Sequence, residues 1–247
     1  MTPLQKGRYR ARAARDLDDR QAAQRLRQSA FVGSDRPGEL DQDKFDDLCI
    51  HVLVENIDTD ELVCCYRLVP LAHGKQIDRT YSAQFYDLSA LTEFTEPMVE
   101  MGRFCICPGM RDPDILRVAW GAMTRYVDDQ GIGMLFGCSS FTGINAEDYL
   151  DVFALLKQKH IAPRCWRPKI KAPTIFRFAQ APERADEDRR KAMRRMPPLL
   201  RTYLLMGGWV SDHAVVDRDL GTLHVFTGLE IGAIPKMRQQ LLRAVAQ

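Results

Sequence analysis

The chain has 247 residues, of which 45% are hydrophobic and 28% charged, and its formal net charge is +2. This composition is typical of a globular chain that buries a core of its own. No apolar run approaches the roughly 18 residues that cross a bilayer, and no apolar segment follows the basic N-terminus, which argues against a membrane span and a secretory signal. We therefore expect a cytoplasmic protein.

The first half of the sequence predicts one helix and then three strands. Apolar residues recur at helical spacing over residues 18–31, and the polar face of this helix is basic. Apolar runs at 49–54 and 62–69 flank a turn and predict a hairpin, and a third strand is predicted at 98–107. Asp112 is placed to cap a second helix, which has Pro113 in its first turn and ends at Gly131.

The second half predicts a buried strand, two helices and a final strand pair. Residues 132–138 form a continuous apolar run, and residues 146–157 predict a helix behind that strand. A further helix is predicted at 198–206 and strands at 208–216 and 222–231. We expect a single domain over residues 1–247, with a basic insertion at 163–195 before the C-terminal helix and strand pair.

Charged residues inside apolar strands mark the most informative part of the sequence. Arg67 lies in the second predicted strand, and Glu100 and Arg103 lie in the third. Burying such a charge is costly unless it is paired or used. The pattern therefore predicts either a polar site or a buried ion-pair network that only holds the strands together. Because side chains alternate along a strand, Glu100 and Arg103 share a face only if Gly102 marks a bulge.

Two sets of segments carry a family resemblance. Asp43-Lys-Phe-Asp46, Arg67-Leu-Val-Pro70 and Glu100-Met-Gly-Arg103-Phe104 resemble the motifs of acyl-homoserine-lactone synthases. Residues 135–143, 159–163 and 197–200 are similar to another branch, the ornithine lipid synthases. The order of the predicted elements is that of the GNAT acyltransferase fold. The resemblance implies an α/β (α+β) protein of this fold, with a mixed central sheet flanked by helices.

The resemblance also implies an activity. Ornithine lipid synthases are N-acyltransferases that move a 3-hydroxyacyl chain from acyl carrier protein to the alpha-amino group of L-ornithine, giving lyso-ornithine lipid. Such an enzyme binds no cofactor of its own, since the carrier protein supplies 4'-phosphopantetheine. Glu100 is then the expected base for the amine. Arg67 and Arg103 are expected to orient the substrate carboxylate, the thioester or acidic groups of the partner, and Asp43 and Asp46 either to receive a basic side-chain amine or to hold Arg67.

Ser139, Ser140 and Phe141 follow the predicted buried strand, at the place where the GNAT fold parts its strands to admit the acyl arm. The resemblance implies that they bind the thioester or its pantetheine. The alternative for these three residues is a turn and core packing.

The segment between the third strand and the next helix argues against free CoA as the acyl donor. Acetyl-CoA enzymes of this fold place a glycine-rich turn there, whose amides bind the pyrophosphate. Here Asp112 and Asp114 bring negative charge to the start of the helix, and Pro113 removes one amide donor. A carrier-bound phosphopantetheine arm needs no such loop.

Basic clusters provide candidate surfaces for partners. An acidic carrier protein is expected to dock on the cluster beside the third helix, although solvated helix faces explain most such clusters. The apolar helix at 198–206 follows a basic run at 189–195 and is expected either to lie on an anionic membrane surface or to pack inward. The predicted docking residues are Lys157, Lys159, Arg164, Arg167 and Lys169.

Other functional classes remain as alternatives. These are an acyl-homoserine-lactone synthase that uses S-adenosylmethionine, a glutamine-lipid N-acyltransferase, and a non-enzymatic basic binding module. Nucleic-acid binding is not expected, because stacking on bases needs exposed aromatic residues among the basic clusters, and we expect only Trp166 to meet this condition. No metal site is expected either, because the chain has no CxxC pair and its five histidines are scattered.

Overall fold

A computed structural model describes residues 1–33, 38–182 and 188–246. Its helices are α1 Leu17–Phe31, α2 Pro113–Gln130, α3 Leu150–Lys159, α4 Arg189–Arg195, α5 Pro198–Leu205 and α6 Lys236–Ala246. Its strands are β1 Leu4–Lys6, β2 Tyr9–Ala13, β3 Ile50–Asn56, β4 Glu61–Leu71, β5 Tyr86–Asp87, β6 Met98–Ile106, β7 Met134–Thr142, β8 Lys169–Ile170, β9 Ile175–Phe176, β10 Trp209–Val210, β11 Ala214–Asp217 and β12 Thr222–Glu230.

The chain folds into two compact units. The first comprises Met1–Pro70, Val99–Ile132 and Pro235–Gln247, and the second comprises Leu71–Met98 and Gly133–Ile234. The single domain expected over residues 1–247 stays a prediction. Within the expected basic insertion at 163–195, residues 183–187 lie outside the described part of the chain.

The first unit is a sheet covered on both faces by helices. Its strand order is β1-β2-β3-β4-β6, and the β1–β2, β2–β3 and β3–β4 pairs are antiparallel. Ala23 and Leu26 of α1 pack against Leu53, Cys65 and Cys105 on one face. On the other face the Tyr66 hydroxyl donates a hydrogen bond to the Ala119 carbonyl of α2 at 3.2 Å, and Phe104 stacks on the Tyr66 ring.

The second unit is built around a long antiparallel pair, β7 with β12. Strands β10 and β11 also pair with β12, β9 pairs with β11, and β5 and β8 form a separate two-stranded sheet. One face of β7 and β12 contacts α3 and α5 through the buried residues Phe141, Val225, Phe153 and Leu200. On the other face, Tyr86 packs against the rings of His224 and Phe226.

Several predicted elements end elsewhere than expected. The strand predicted at 132–138 is β7, which continues to Thr142 because β12 pairs with it as far as Thr222. The strand predicted at 208–216 is interrupted between β10 and β11, where the Ser211 hydroxyl donates to the His213 carbonyl and accepts from the Phe226 amide. The sequence reasoning missed β1, β2, α4, α6 and the two-residue strands β5, β8 and β9. No helix among the described residues is both long and apolar enough to cross a membrane.

Candidate active site

Arg67 is the centre of a buried ion-pair network in the first unit. It lies on β4 and is 3% exposed. Its Nη1 is 2.6 Å from Asp43 Oδ1 and 2.8 Å from Asp46 Oδ1, and its Nη2 is 2.9 Å from Asp43 Oδ2. Both aspartates lie in the segment that precedes β3. Of the two roles expected for them, the structure shows that they hold Arg67.

Arg27 of α1 belongs to the same network, and the sequence reasoning missed it. That reasoning placed it on a basic, polar helix face, but its side chain is fully buried. Its Nη1 is 2.8 Å from Asp46 Oδ1 and its Nε is 2.8 Å from Asp41 Oδ2. Arg27 follows Ala23 by four residues, which places both on one helix face. This spacing could have predicted that Arg27 is buried.

Arg103 reaches the network from β6. Its Nη2 is 3.3 Å from Asp43 Oδ2 and its Nε is 3.2 Å from Asp41 Oδ2, while its guanidinium lies over the Phe31 ring at 5.8 Å. The expected irregularity of this strand is present, but at Arg103 rather than Gly102. Arg103 has a φ of +52°, in the left-handed region that a residue with a side chain rarely occupies within a strand.

Glu100 is buried on the same strand, with 2% of its surface exposed. Burial raises the pKa of the Cys49 thiol to about 12, the Arg67 charge opposes that rise and the Glu100 charge adds to it. Glu100 is therefore within electrostatic range of the residues that lead into β3, as Arg67 is. Of the three charged residues that the sequence singled out, Arg67 and Arg103 both contact Asp43, and the Glu100 charge acts on the Cys49 thiol as the Arg67 charge does.

Two carboxylates of this network, those of Asp46 and Asp43, are held in their charged form. Burial acts to raise the pKa of Asp46, but hydrogen bonds from Arg27, Arg67 and Gln24 outweigh it and hold the pKa well below its usual range. The pKa of Asp43 is likewise lowered, since its bonds to Arg67 outweigh the effect of burial. The network joins three guanidinium groups to three carboxylates, those of Asp41, Asp43 and Asp46, so its own charges cancel.

His51 is a further buried polar residue that the sequence reasoning missed. It lies on β3, directly across from Arg67 on β4. Its Nε2 is 3.0 Å from the Asp46 carbonyl oxygen and 3.7 Å from Asp46 Oδ1. Its Nδ1 is buried and has no hydrogen-bond partner among the described residues. Burial lowers the pKa of this imidazole, and contact with the Asp46 carbonyl opposes the effect.

Ser139, Ser140 and Phe141 lie within β7 of the second unit, not after its end. Ser139 is buried and its hydroxyl oxygen accepts a hydrogen bond from Thr227 at 2.9 Å. Ser140 is exposed. Phe141 is buried in the core beside the rings of Tyr149 and Phe153. Core packing, the alternative considered for these residues, describes Phe141.

The predicted docking residues differ in their exposure and in their hydrogen bonds to the backbone. Lys159, Arg164 and Lys169 are exposed. The Lys157 ammonium donates to the Ala181 carbonyl at 2.7 Å, and the Arg167 guanidinium donates to the Ala162 carbonyl at 3.0 and 3.2 Å. These two side chains therefore also hold the local backbone together.

The start of α2 has the expected cap. The Asp112 carboxylate accepts a hydrogen bond from the Asp114 amide at 2.9 Å, and Pro113 stands in the first turn. Asp112 also accepts from the Tyr9 hydroxyl at 2.9 Å and from Arg8 Nη2 at 2.5 Å. The hydrogen bond from Arg8 is the largest of the effects that lower the pKa of Asp112 to about 2. An anionic side chain thus occupies this helix terminus.

Helix α5 packs inward, which was one of the two expectations for it. Leu200, Tyr203 and Met206 are buried, while Leu205 is 51% exposed. The basic residues Arg189, Arg190 and Arg194 of the preceding helix are exposed. An anionic membrane surface as a partner stays a prediction.

Comparison with known proteins shows the fold of this chain. A family described as "Acetyltransferase (GNAT) domain" matches residues 26–121. The solved structure of FeeM, an N-acyl amino acid synthase from uncultured soil microbes, is similar with a TM-score of 0.53 at 13% identity, over 97% of this chain and 100% of that one. The predicted GNAT-like fold, with a mixed sheet flanked by helices, is confirmed.

Two relatives that match along most of their length show the family. An L-ornithine N(alpha)-acyltransferase of Rhodobacter capsulatus is 31% identical over 94% of this chain and 93% of its own length. One of Agrobacterium fabrum is 27% identical over 92% of this chain and 83% of its own. The protein is an acyltransferase, and it belongs to the L-ornithine N(alpha)-acyltransferase family.

Proposed function

We propose that this protein transfers a 3-hydroxyacyl chain from acyl carrier protein to the alpha-amino group of L-ornithine, giving lyso-ornithine lipid. The observation that carries the proposal is the match to L-ornithine N(alpha)-acyltransferases along nearly the whole chain. The positions of Arg67, Arg103 and Glu100 support it, because these three charged residues lie on β4 and β6 and are largely buried.

The proposed reaction requires a base. An amine with a pKa of about 8 is mostly protonated at neutral pH and must lose a proton before its nitrogen attacks the thioester carbon. Glu100 takes this proton, directly or through a water molecule. The new C–N bond then forms as the C–S bond breaks. The nitrogen loses a second proton in this step, which passes to the sulfur, so that the pantetheine leaves as a thiol on the carrier protein.

Arg103 is the proposed partner of the ornithine carboxylate. Its contacts to Asp41 and Asp43, at 3.2 and 3.3 Å, are longer than those of Arg67. Arg67 has both terminal nitrogens on Asp43 and Asp46, and it acts by holding those aspartates in place. A guanidinium fork matches a carboxylate in geometry and charge.

The start of α2 supports a carrier-bound donor rather than free CoA. Asp112 already occupies the amide of Asp114, and its negative charge repels a diphosphate. The 4'-phosphopantetheine of the carrier protein lacks that diphosphate. The exposed cations Lys159, Arg164 and Lys169 offer an acidic carrier protein a complementary surface.

The test is acyl transfer by the purified protein, followed by mass spectrometry. The protein is supplied with 3-hydroxyacyl carrier protein and, in separate reactions, with ornithine, glutamine or S-adenosylmethionine. We expect lyso-ornithine lipid as the main product, and a much lower rate when the same acyl group is supplied on CoA. Acylation of glutamine or S-adenosylmethionine in preference to ornithine would overturn the proposed acceptor. Equal rates from the two donors would overturn the proposed donor.

A further inference from the structure

His51 has one ring nitrogen in use and one that has no partner. The Asp46 carbonyl is an acceptor only, so Nε2, at 3.0 Å from it, carries the hydrogen and donates. In the neutral ring the Nδ1 atom then bears a lone pair. Nδ1 is buried, and no described residue donates a hydrogen bond to it.

The surroundings keep this imidazole neutral. The charged groups that act on it are Asp46, whose contacts favour the protonated ring, and Arg27 and Arg67, whose charges oppose protonation. Burial, the largest effect, also lowers its pKa. A buried acceptor without a donor costs free energy, and such a group in a native protein calls for an explanation.

The position of His51 explains why its acceptor is left without a donor. His51 and Arg67 are directly paired across β3 and β4, so their side chains lie on the same face of the sheet. Cys49 lies two residues before His51, and the charges of both Arg67 and Glu100 affect the pKa of its thiol. The unpaired acceptor therefore lies beside Arg67, and the residues that lead to it are within electrostatic range of the proposed base.

We propose that His51 Nδ1 accepts a hydrogen bond from the alpha-amine of the amino-acid substrate and so orients that amine for attack on the thioester. This inference rests on the proposed function. An alpha-ammonium group has three N–H donors, so Glu100 takes one proton while His51 holds another N–H. Loss of the proton leaves a lone pair on the nitrogen, and the positions of Glu100 and His51 direct this lone pair towards the thioester carbon. His51 takes no proton, and its role is to orient the substrate.

Two substitutions separate this role from a structural one. In His51→Gln the side chain is long enough to donate from its amide to the Asp46 carbonyl, but no acceptor stands where Nδ1 was. In His51→Asn an amide oxygen lies near the former position of Nδ1, but the side chain is too short to reach Asp46. The two variants therefore each keep one of the two ring functions.

The readouts are kcat/KM for ornithine, the affinity for ornithine by titration calorimetry, and the urea midpoint of unfolding. We expect His51→Gln to keep its unfolding midpoint and its KM for acyl carrier protein, and to lose roughly 10- to 100-fold in kcat/KM for ornithine together with ornithine affinity. We expect His51→Asn to be less stable but to stay within a few-fold of the wild-type kcat/KM.

The opposite order, with His51→Gln active and His51→Asn impaired, would overturn the inference and leave His51 as a structural partner of Asp46. The wild-type protein decides the proposed function separately. If it acylates a different amino acid, the proposed acceptor is wrong, and the order of the two variants is measured with that amino acid. If the wild-type protein neither acylates nor binds any amino acid, both proposals fail.

Discussion

Glu100 is the residue on which the proposed chemistry depends most directly. Replacing it with Gln keeps its size but removes a basic carboxylate. If Glu100 is the base, we expect Glu100→Gln to lower kcat by roughly 100- to 10,000-fold while KM for acyl carrier protein changes little. Steady-state kinetics with purified carrier protein measure both quantities.

Glu55→Gln is the matched control. Glu55 is a partly buried strand carboxylate that binds Arg10 and Arg12, and it lies outside the proposed site. We expect this variant to keep its kcat. If Glu100→Gln leaves kcat unchanged but lowers the stability, the buried charges have only a structural role and hold the strands together.

Arg27 is the residue through which α1 is tied to the network. Arg27→Met leaves the carboxylates of Asp41 and Asp46 short of a buried partner, and breaking a buried pair in this way costs about 3–5 kcal/mol. We expect the free energy of unfolding, measured in urea, to fall by that amount. Arg25→Met, at an exposed position of the same helix, is the control and is expected to change it little. Equal effects of the two substitutions would contradict a buried role for Arg27.

At the scale of elements, the end of α3 and the loop after it form the predicted docking surface. Charge reversal to Glu at Lys159, Arg164 or Lys169 is expected to raise KM for acyl carrier protein by roughly 2- to 5-fold each, because rim charges contribute little individually. The increase is expected to shrink as salt screens the charges. Steady-state kinetics at low and high ionic strength measure it.

The control for charge reversal is Arg218→Glu, at an exposed position in the turn between β11 and β12. It makes the same change in net charge outside the predicted surface. An equal rise in KM in this control would show that net charge, rather than the α3 surface, attracts the carrier protein.

Elements whose boundaries are set by nearby residues were predicted well, and elements held by distant contacts were not. Helix α2 was predicted to within a residue, because Asp112, Pro113 and Gly131 cap and end it by local chemistry. The hairpin of β3 and β4 was also predicted, since both strands are apolar runs around a turn. Helix α6 is mostly exposed, and pairs such as Arg243 with Asp128 of α2 hold it in place. Its own sequence carried little signal.

At the scale of the whole molecule, stability should depend on pH through buried histidines. Burial lowers the pKa of His224 to about 4, with Asp217 opposing and His213 reinforcing the shift. The unfolded chain has a histidine pKa of about 6.5 and so binds more protons between these two values. Stability therefore rises with pH across this window and falls as the solution is acidified. The pKa of His51 is shifted in the same direction.

The lowered pKa values of Asp43 and Asp46 add a second phase of acid destabilisation. Their contribution to stability is present above the unfolded pKa of about 3.9 and is lost below it. Urea midpoints measured from pH 8 to pH 3 are expected to fall below about pH 6.5 and more steeply below about pH 4. His224→Gln should flatten the first phase. A midpoint that stays level down to pH 4.5 would contradict the assignment to histidines.

The sequence by itself determined the fold family and the three charged residues at the centre of the site. Arg67, Glu100 and Arg103 were found because a charge in an apolar strand is anomalous wherever it occurs, and the caps and turns were found because their causes lie within a few residues. Only the tertiary structure decided that Arg27, Asp41 and His51 join them. These residues come from a helix, a loop and another strand, and their burial and partners exist only once distant segments of the chain pack together.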